Sequence, residues 1–303
     1  MKKISSIAKA LLVGDNPFHS ISHLSQGRTR LREKTVVVPK RAADLILNAV
    51  GCGANGFMFS VSETTLSILK ELRTRGEIER LGLYAIVPYA SEYVKLSTQV
   101  GGVPGLARKV AKRIVASGNL GAMLTGLIGY LKTDPWPLMK TYLSYEIGRI
   151  RSSGGKRARL ESILLHEVIT DVALALKLDW LFKAYIKYAS NLGITPGFNT
   201  CNFGYLIDRF REWDIDLSQL AMASPFNKIG FQMTPSKKEC EKALESILES
   251  NVIAISILAA GYLKPLEAAE YLATLPNISG VAVGISKPEH AQTFKLLKEK
   301  LSW

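Results

Sequence analysis

The sequence predicts a single closed (β/α)₈ barrel over residues 1–303, with a helical insertion between its third and fourth strands. Three observations carry that prediction. Short apolar or β-branched runs alternate with longer amphipathic stretches, which is the signature of parallel βα units. Eight such pairs follow one another within 303 residues, the span of one barrel. No glycine-rich GxGxxG follows the first run, as a doubly wound dinucleotide-binding sheet would require.

The expected elements run in order. The first strand is Ala10 to Gly14, ending in Asp15-Asn16-Pro17. A helix from Arg41 to Val50 leads to the second strand, Gly56 to Val61. A helix from Thr64 to Arg75 leads to the third, Leu81 to Val87. The fourth is Ser162 to Leu165, ending in His166-Glu167. One long helix, Leu174 to Asn191, precedes the fifth, Thr195 to Phe198. Tyr205 to Trp213 precedes the sixth, Leu220 to Ala223. The strongly periodic Ser236 to Glu249 precedes the seventh, Val252 to Leu258. Pro265 to Leu275 precedes the eighth, Val281 to Ile285, and Pro288 to Leu301 closes the chain as a helix.

The third unit breaks the spacing. Residues 91–160 exceed the ~20 to 25 that a helix and its loops need. This stretch holds a helical Leu106 to Ser117, an apolar run from Leu120 to Leu131, a Pro135-Trp136-Pro137 break and a helical Leu138 to Ile150. It is read as an inserted helical subdomain, either a lid over the barrel mouth or a dimer contact.

Charge is concentrated in the same stretch. The whole chain carries +13, and Ser91 to Leu160 alone holds twelve Lys or Arg against three Asp or Glu. Such a surface concentrates anions, so phosphorylated metabolites, nucleic acid and anionic membrane surfaces all stand as partners. Tyr130, Trp136, Tyr142 and Tyr145 interleave only thinly with the basic residues, which makes a nucleic-acid platform uncompelling. No run reaches the roughly 18 apolar residues of a membrane span, and the N-terminus lacks a signal-peptide pattern. Cys52, Cys201 and Cys240 are odd in number and form no CxxC. A disulfide framework is therefore not expected, and a cytoplasmic location is.

In a barrel the chemistry sits at the C-terminal ends of the strands, so the residues after each apolar run are the candidates. His166, His19 and Asp15 are the candidates for proton transfer, because imidazole and carboxylate titrate in the useful range. Alternation along Leu164-Leu165-His166 aims His166 inward if Leu164 points inward. Asn16, His23, Glu63, Tyr89, Asn199, Asn202, Asn227 and Lys228 are candidates for orienting a ligand, with amides suited to a carbonyl or carboxamide. Gly261, Gly284, Ser286 and Lys287 are candidates for holding a phosphate or cofactor after strands seven and eight. A divalent metal on His19, His23 and His166 is conceivable. However, no HxH follows strand one and no Asp follows strand eight, so no metal ligand is assigned.

The C-terminal half resembles the aldo/keto reductases over roughly residues 160 to 300. Ala254 to Leu263 is similar to that family's seventh strand, and Gly284-Ile285-Ser286-Lys287-Pro288-Glu289-His290 to its eighth-strand turn. Gly197 to Phe203 resembles its strand-five Gly-x-Ser-Asn-Phe, in a register that fits either Asn199 or Asn202, and His166 stands where the family keeps its strand-four histidine. The resemblance implies NADP at the eighth-strand turn. The N-terminal half departs from the pattern. The family's Asp and Tyr after strand two have no counterpart in Gly53 to Ser62, and its Lys after strand three has none in Val87-Pro88-Tyr89. Little or no NADPH-dependent reduction of common aldehydes is expected. The sequence thus points to a barrel enzyme with an altered site acting on an anionic or phosphate-bearing small molecule. A non-catalytic binding protein that uses the basic stretch, or a metal-dependent hydrolase or lyase, stands as the alternative, and a homo-oligomer is compatible with either.

Overall fold

The computed structural model describes residues 9–19, 38–88, 135–247 and 251–303. Eight parallel strands close into a barrel in sequence order. They are β1 (Ala10–Gly14), β2 (Gly56–Ser60), β3 (Gly82–Val87), β4 (Arg159–Leu165), β5 (Thr195–Asn199), β6 (Ala221–Pro225), β7 (Asn251–Ile255) and β8 (Ile278–Gly284). Closure runs from Ala10 beside Gly280 to Gly14 beside Gly284.

Around the barrel lie α1 (Pro39–Gly51), α2 (Glu63–Thr74), α3 (Pro135–Gly154), α4 (Glu167–Ala175), α5 (Asp179–Asn191), α6 (Phe203–Glu212), α7 (Lys237–Glu245), α8 (Pro265–Ala273) and α9 (Gln292–Lys300). Local chemistry sets their starts. Ser62 Oγ accepts the Thr65 N–H at 3.1 Å while the Ser62 N–H donates to Thr65 Oγ1 at 3.0 Å, a reciprocal cap that opens α2. Ser236 Oγ caps α7 by accepting the Glu239 N–H at 3.3 Å. Pro39 and Pro265 sit in the first turns of α1 and α8, where a missing N–H costs nothing.

Strand alternation sorts the side chains into two cores. Ala10, Leu12, Met58, Tyr84, Leu164, Ala223 and Ile253 fill the barrel. Val13, Phe57, Phe59, Leu165, Phe198 and Met222 face the helices. The interior is tight at β5: a Cβ on Gly197 would lie 2.7 Å from Leu164 Cγ and 3.0 Å from the Ile163 carbonyl, so only glycine fits there.

The structure corrects several element boundaries. The long helix expected at Leu174–Asn191 is two helices, because Lys177 adopts a left-handed backbone, φ 54°, between α4 and α5. Pro135-Trp136-Pro137 is not a break but the first turn of α3. That helix packs against α2 as the barrel's own third helix. Of the expected 91–160 insertion, residues 135–154 and 159–160 therefore belong to the barrel itself, and 91–134 lie outside the described residues. The seventh strand stops at Ile255, since Ser256 turns to φ 52°. Among the described residues no helix is long and apolar enough to cross a membrane.

Candidate active site at the barrel mouth

Every strand delivers its C-terminal end to one rim, so the loops after β1, β2, β4 and β5 bring distant residues to the same end of the barrel. After β1 the chain enters a short 3₁₀ turn, Asn16–His19. That turn folds His19 back so that its Nε2 lies 3.0 Å from Asp15 Oδ2, with both side chains buried. The same oxygen accepts the Ser60 N–H from β2 at 2.7 Å, which fixes the carboxylate. Asn16 is exposed. His23 and Tyr89 lie outside the described residues.

His166 follows β4 and is the N-cap of α4. Its Nδ1 accepts the Val168 N–H at 3.2 Å, and the His166 backbone N–H donates to the Val87 carbonyl at 2.8 Å. Burial holds the imidazole below its ordinary pKa, opposed only by Glu167. At neutral pH the ring is therefore uncharged. With Nδ1 serving as an acceptor, the proton resides on Nε2, so His166 offers one N–H donor. The inward position of Leu164 meets the condition set by strand alternation for His166 to face the mouth.

The β5 end carries an anomaly. Asn199, 6% exposed, has a fully buried Oδ1 with no hydrogen-bond partner. Phe198 faces the helices, so Asn199 alternates to the inner side. A buried amide oxygen with no partner is costly and unusual, and such positions tend to be functional. Ser224 Oγ is likewise unpartnered, but β6 alternation turns it toward the helix layer.

The loop after Asn199 is held by a residue that sequence reasoning missed. Asp171, one turn into α4, accepts from the Thr200 hydroxyl, from Asn202 Nδ2 at 3.0 Å and from the Cys201 N–H at 3.4 Å. Thr200 Oγ1 in turn accepts the Asn202 N–H at 2.9 Å. Asn202 is thus bound to the scaffold, and of the two asparagines it is Asn199 that keeps a group unsatisfied. Cys201 sits beside Glu167 and Asp171, and burial together with these acids pushes its thiol up to about 12. It is therefore no nucleophile at neutral pH.

The remaining candidates are placed as follows. Glu63 pairs with Arg149 of α3 at 2.8 Å. Asn227 is buried and commits its amide to the Phe231 backbone, accepting its N–H and donating to its carbonyl, both at 2.8 Å. Lys228 is exposed. The Gly261 N–H donates to the Leu258 carbonyl at 2.8 Å. Gly284 is covered by Pro17, whose ring carbons lie 2.9 Å from where a Cβ would stand. The Ser286 N–H is directed at His290 Nδ1 at 3.3 Å, and Lys287 pairs loosely with Glu289 at 3.8 Å on the surface. Among the described residues no three His, Cys, Asp or Glu converge as a metal site would need.

No family model matches the sequence, and no curated protein does. The likeness is to solved structures. Two structures, each of a candidate aldo-keto reductase from Pseudomonas aeruginosa, align with 96% of this chain and 90% of theirs, at 13% identity and TM-scores of 0.57 and 0.58. A homocysteine methyltransferase from Escherichia coli aligns at a TM-score of only 0.35 and 10% identity, too low to bear on the fold. At such identities the likeness is one of architecture: the chain is a (β/α)₈ barrel whose fold is similar to that of these two structures.

Proposed function

We propose that this barrel is an enzyme acting on an anionic small molecule bound at the mouth between β1, β4 and β5. The observation that carries the reading is the buried, unpartnered Oδ1 of Asn199. It is an acceptor awaiting a donor, and a ligand N–H or O–H would satisfy it. His166 supplies the opposite polarity, an Nε2–H donor suited to a ligand oxygen. The Asp15–His19 pair, anchored by the Ser60 N–H, is the acid–base element. Lys287, beside the β8 end, suits the ligand's anionic group. The nicotinamide dinucleotide implied by the eighth-strand resemblance does not fit that turn: the Ser286 N–H is spent on His290 and Gly284 is capped by Pro17.

Asn199→Leu tests the reading, because it separates stability from binding. Replacing an unsatisfied buried amide with an isosteric apolar side chain is expected to raise the stability of the ligand-free protein by about 1 kcal/mol. The same change is expected to abolish the thermal stabilisation produced by any hit from a panel of anionic metabolites. Lower stability with unchanged ligand response would make Asn199 a structural residue and remove the basis for the site.

The His166 imidazole gives a pH signature. Its folded pKa lies below the ordinary 6.5, so the unfolded chain takes up the proton first. Stability is complete above the unfolded value. It declines as the pH falls from there toward the folded value and then levels off. His166→Asn keeps a side-chain cap for α4 and is expected to remove this part of the decline in urea unfolding measured from pH 7 to pH 5. An unchanged profile would mean that burial does not hold His166 neutral.

A further inference from the structure

The loops after β6, β7 and β8 and the start of α1 occupy one continuous sector of the rim, because β6, β7, β8 and β1 are consecutive in the closed barrel. This sector exposes large apolar side chains. Ile229 follows β6, Tyr262 and Leu266 follow β7, and Val38 precedes α1, each between 46% and 68% exposed. A lysine stands beside each group: Lys228 next to Ile229, Lys264 between Tyr262 and Leu266, and Lys40 two residues after Val38, all exposed. None of these three lysines enters an ion pair among the described residues, although Glu267 lies nearby and accepts the Lys264 N–H.

At the opposite end of the barrel several arginines are neutralised: Arg75 by Asp44 and Glu71, Arg80 by Glu77, and Arg157 by Glu79. Arg73 and Arg211 there donate instead to the Ser152 and Ser246 carbonyls. Among the described residues of the loops that enter the strands, only Leu192 is an exposed large apolar side chain. In this sector exposed apolar side chains therefore stand beside lysines that enter no ion pair among the described residues.

We propose that this sector docks the barrel on an anionic phospholipid bilayer. Apolar side chains carried on loops insert shallowly at the headgroup boundary, a tyrosine suits the interface, and unpaired lysines meet anionic lipid heads. A protein interface would be depleted of lysine at its centre. A nucleic-acid surface would call for several stacked aromatics and arginine, where this patch has one tyrosine among aliphatic side chains, and lysine. The proposal goes beyond the ligand reading and does not depend on Asn199.

The test is co-sedimentation of the full chain with phosphatidylcholine vesicles prepared with and without phosphatidylserine. Binding is expected only with phosphatidylserine, and it is expected to weaken with added salt. Lys228→Glu with Lys264→Glu should lower the partition coefficient at least about tenfold. Ile229→Ser with Tyr262→Ser and Leu266→Ser should lower it comparably. Lys70→Glu with Lys156→Glu changes the net charge equally but away from this sector, and should alter binding less than about twofold. Melting curves verify that each variant is folded; all these side chains are exposed, and the lysine and apolar variants test the same face independently. Sedimentation without phosphatidylserine, equal losses in the two lysine pairs, or retention by the sector variants would each overturn the proposal. Full competition by inorganic phosphate at matched ionic strength would assign the lysines to a soluble anion instead and overturn it too.

Discussion

Glu146→Ala is expected to destabilise the protein by about 3 kcal/mol, because it removes the fully buried partner of a buried cation. The Glu146 side chain has no exposed surface, and its Oε2 lies 3.0 Å from Arg149 Nη1, which is itself only 12% exposed. Arg149 also reaches across to Glu63 at 2.8 Å and lies over the Tyr145 ring at 5.5 Å. This cluster ties α3 to α2. A carboxylate without surface cannot be exchanged for water on truncation, so Arg149 loses its one fully buried carboxylate partner of the two described and keeps only the exposed Glu63 carboxylate beside it. Glu63 is the internal control. Its side chain is 72% exposed, and Glu63→Ala is expected to cost under about 0.5 kcal/mol. Urea unfolding of both variants checks the contrast. Equal small losses would show that the cluster does not hold α3 in place.

The strands were the most legible part of the chain. Parallel strands buried on both faces read as continuous apolar runs, and Ala10–Gly14, Gly56–Ser60 and Thr195–Asn199 all appear near their expected places. The break between α4 and α5 was not legible. Leu174, Leu178, Leu181 and Phe182 keep a helical period through it, and the left-handed Lys177 carries no glycine to announce itself. The Pro135-Trp136-Pro137 stretch misled for the opposite reason: proline ends a helix interior but suits a first turn.

Among the candidate residues, strand alternation gives an orientation only for those standing directly at strand ends. Leu164 points inward, as the expectation for His166 required, and Asn16–His19 form a 3₁₀ turn. That turn brings His19 to Asp15, a contact across four residues that depends on the turn and not on residue type alone. The choice between Asn199 and Asn202 needed the neighbours. Asn202 is bound by an acid that lies 31 residues away in sequence, on a different helix, and no local pattern reports such a contact. Nothing in the spacing of Glu167 and Asp171 marks the second as a clamp rather than a solvated charge.

Asp171→Ala should accordingly combine a loss of stability with a loss of binding. Its carboxylate receives the Thr200 hydroxyl, the Asn202 amide and the Cys201 N–H. Hydrogen bonds to a charged acceptor contribute about 1.5 to 3 kcal/mol each when well formed. The Cys201 contact at 3.4 Å is long, and solvent replaces part of the rest because Asp171 is half-buried. The net cost is expected near 2 to 3 kcal/mol. The larger consequence is local. The clamped residues follow Asn199 directly, so releasing them frees the end of β5 and the orientation of the Asn199 amide, and ligand-induced stabilisation should fall with it. Asp171→Asn separates charge from geometry: it keeps one acceptor oxygen for Thr200 and should retain most of the fold while weakening the hold on Asn202. Hydrogen exchange of the Cys201 and Asn202 amides reads the clamp directly. Faster exchange confined to these amides in Asp171→Ala, together with lost ligand response, is the expected pair of results. Destabilisation spread evenly over the barrel, with ligand response per folded molecule intact, would make Asp171 a general stabilising residue and leave Asn199 positioned by β5 alone.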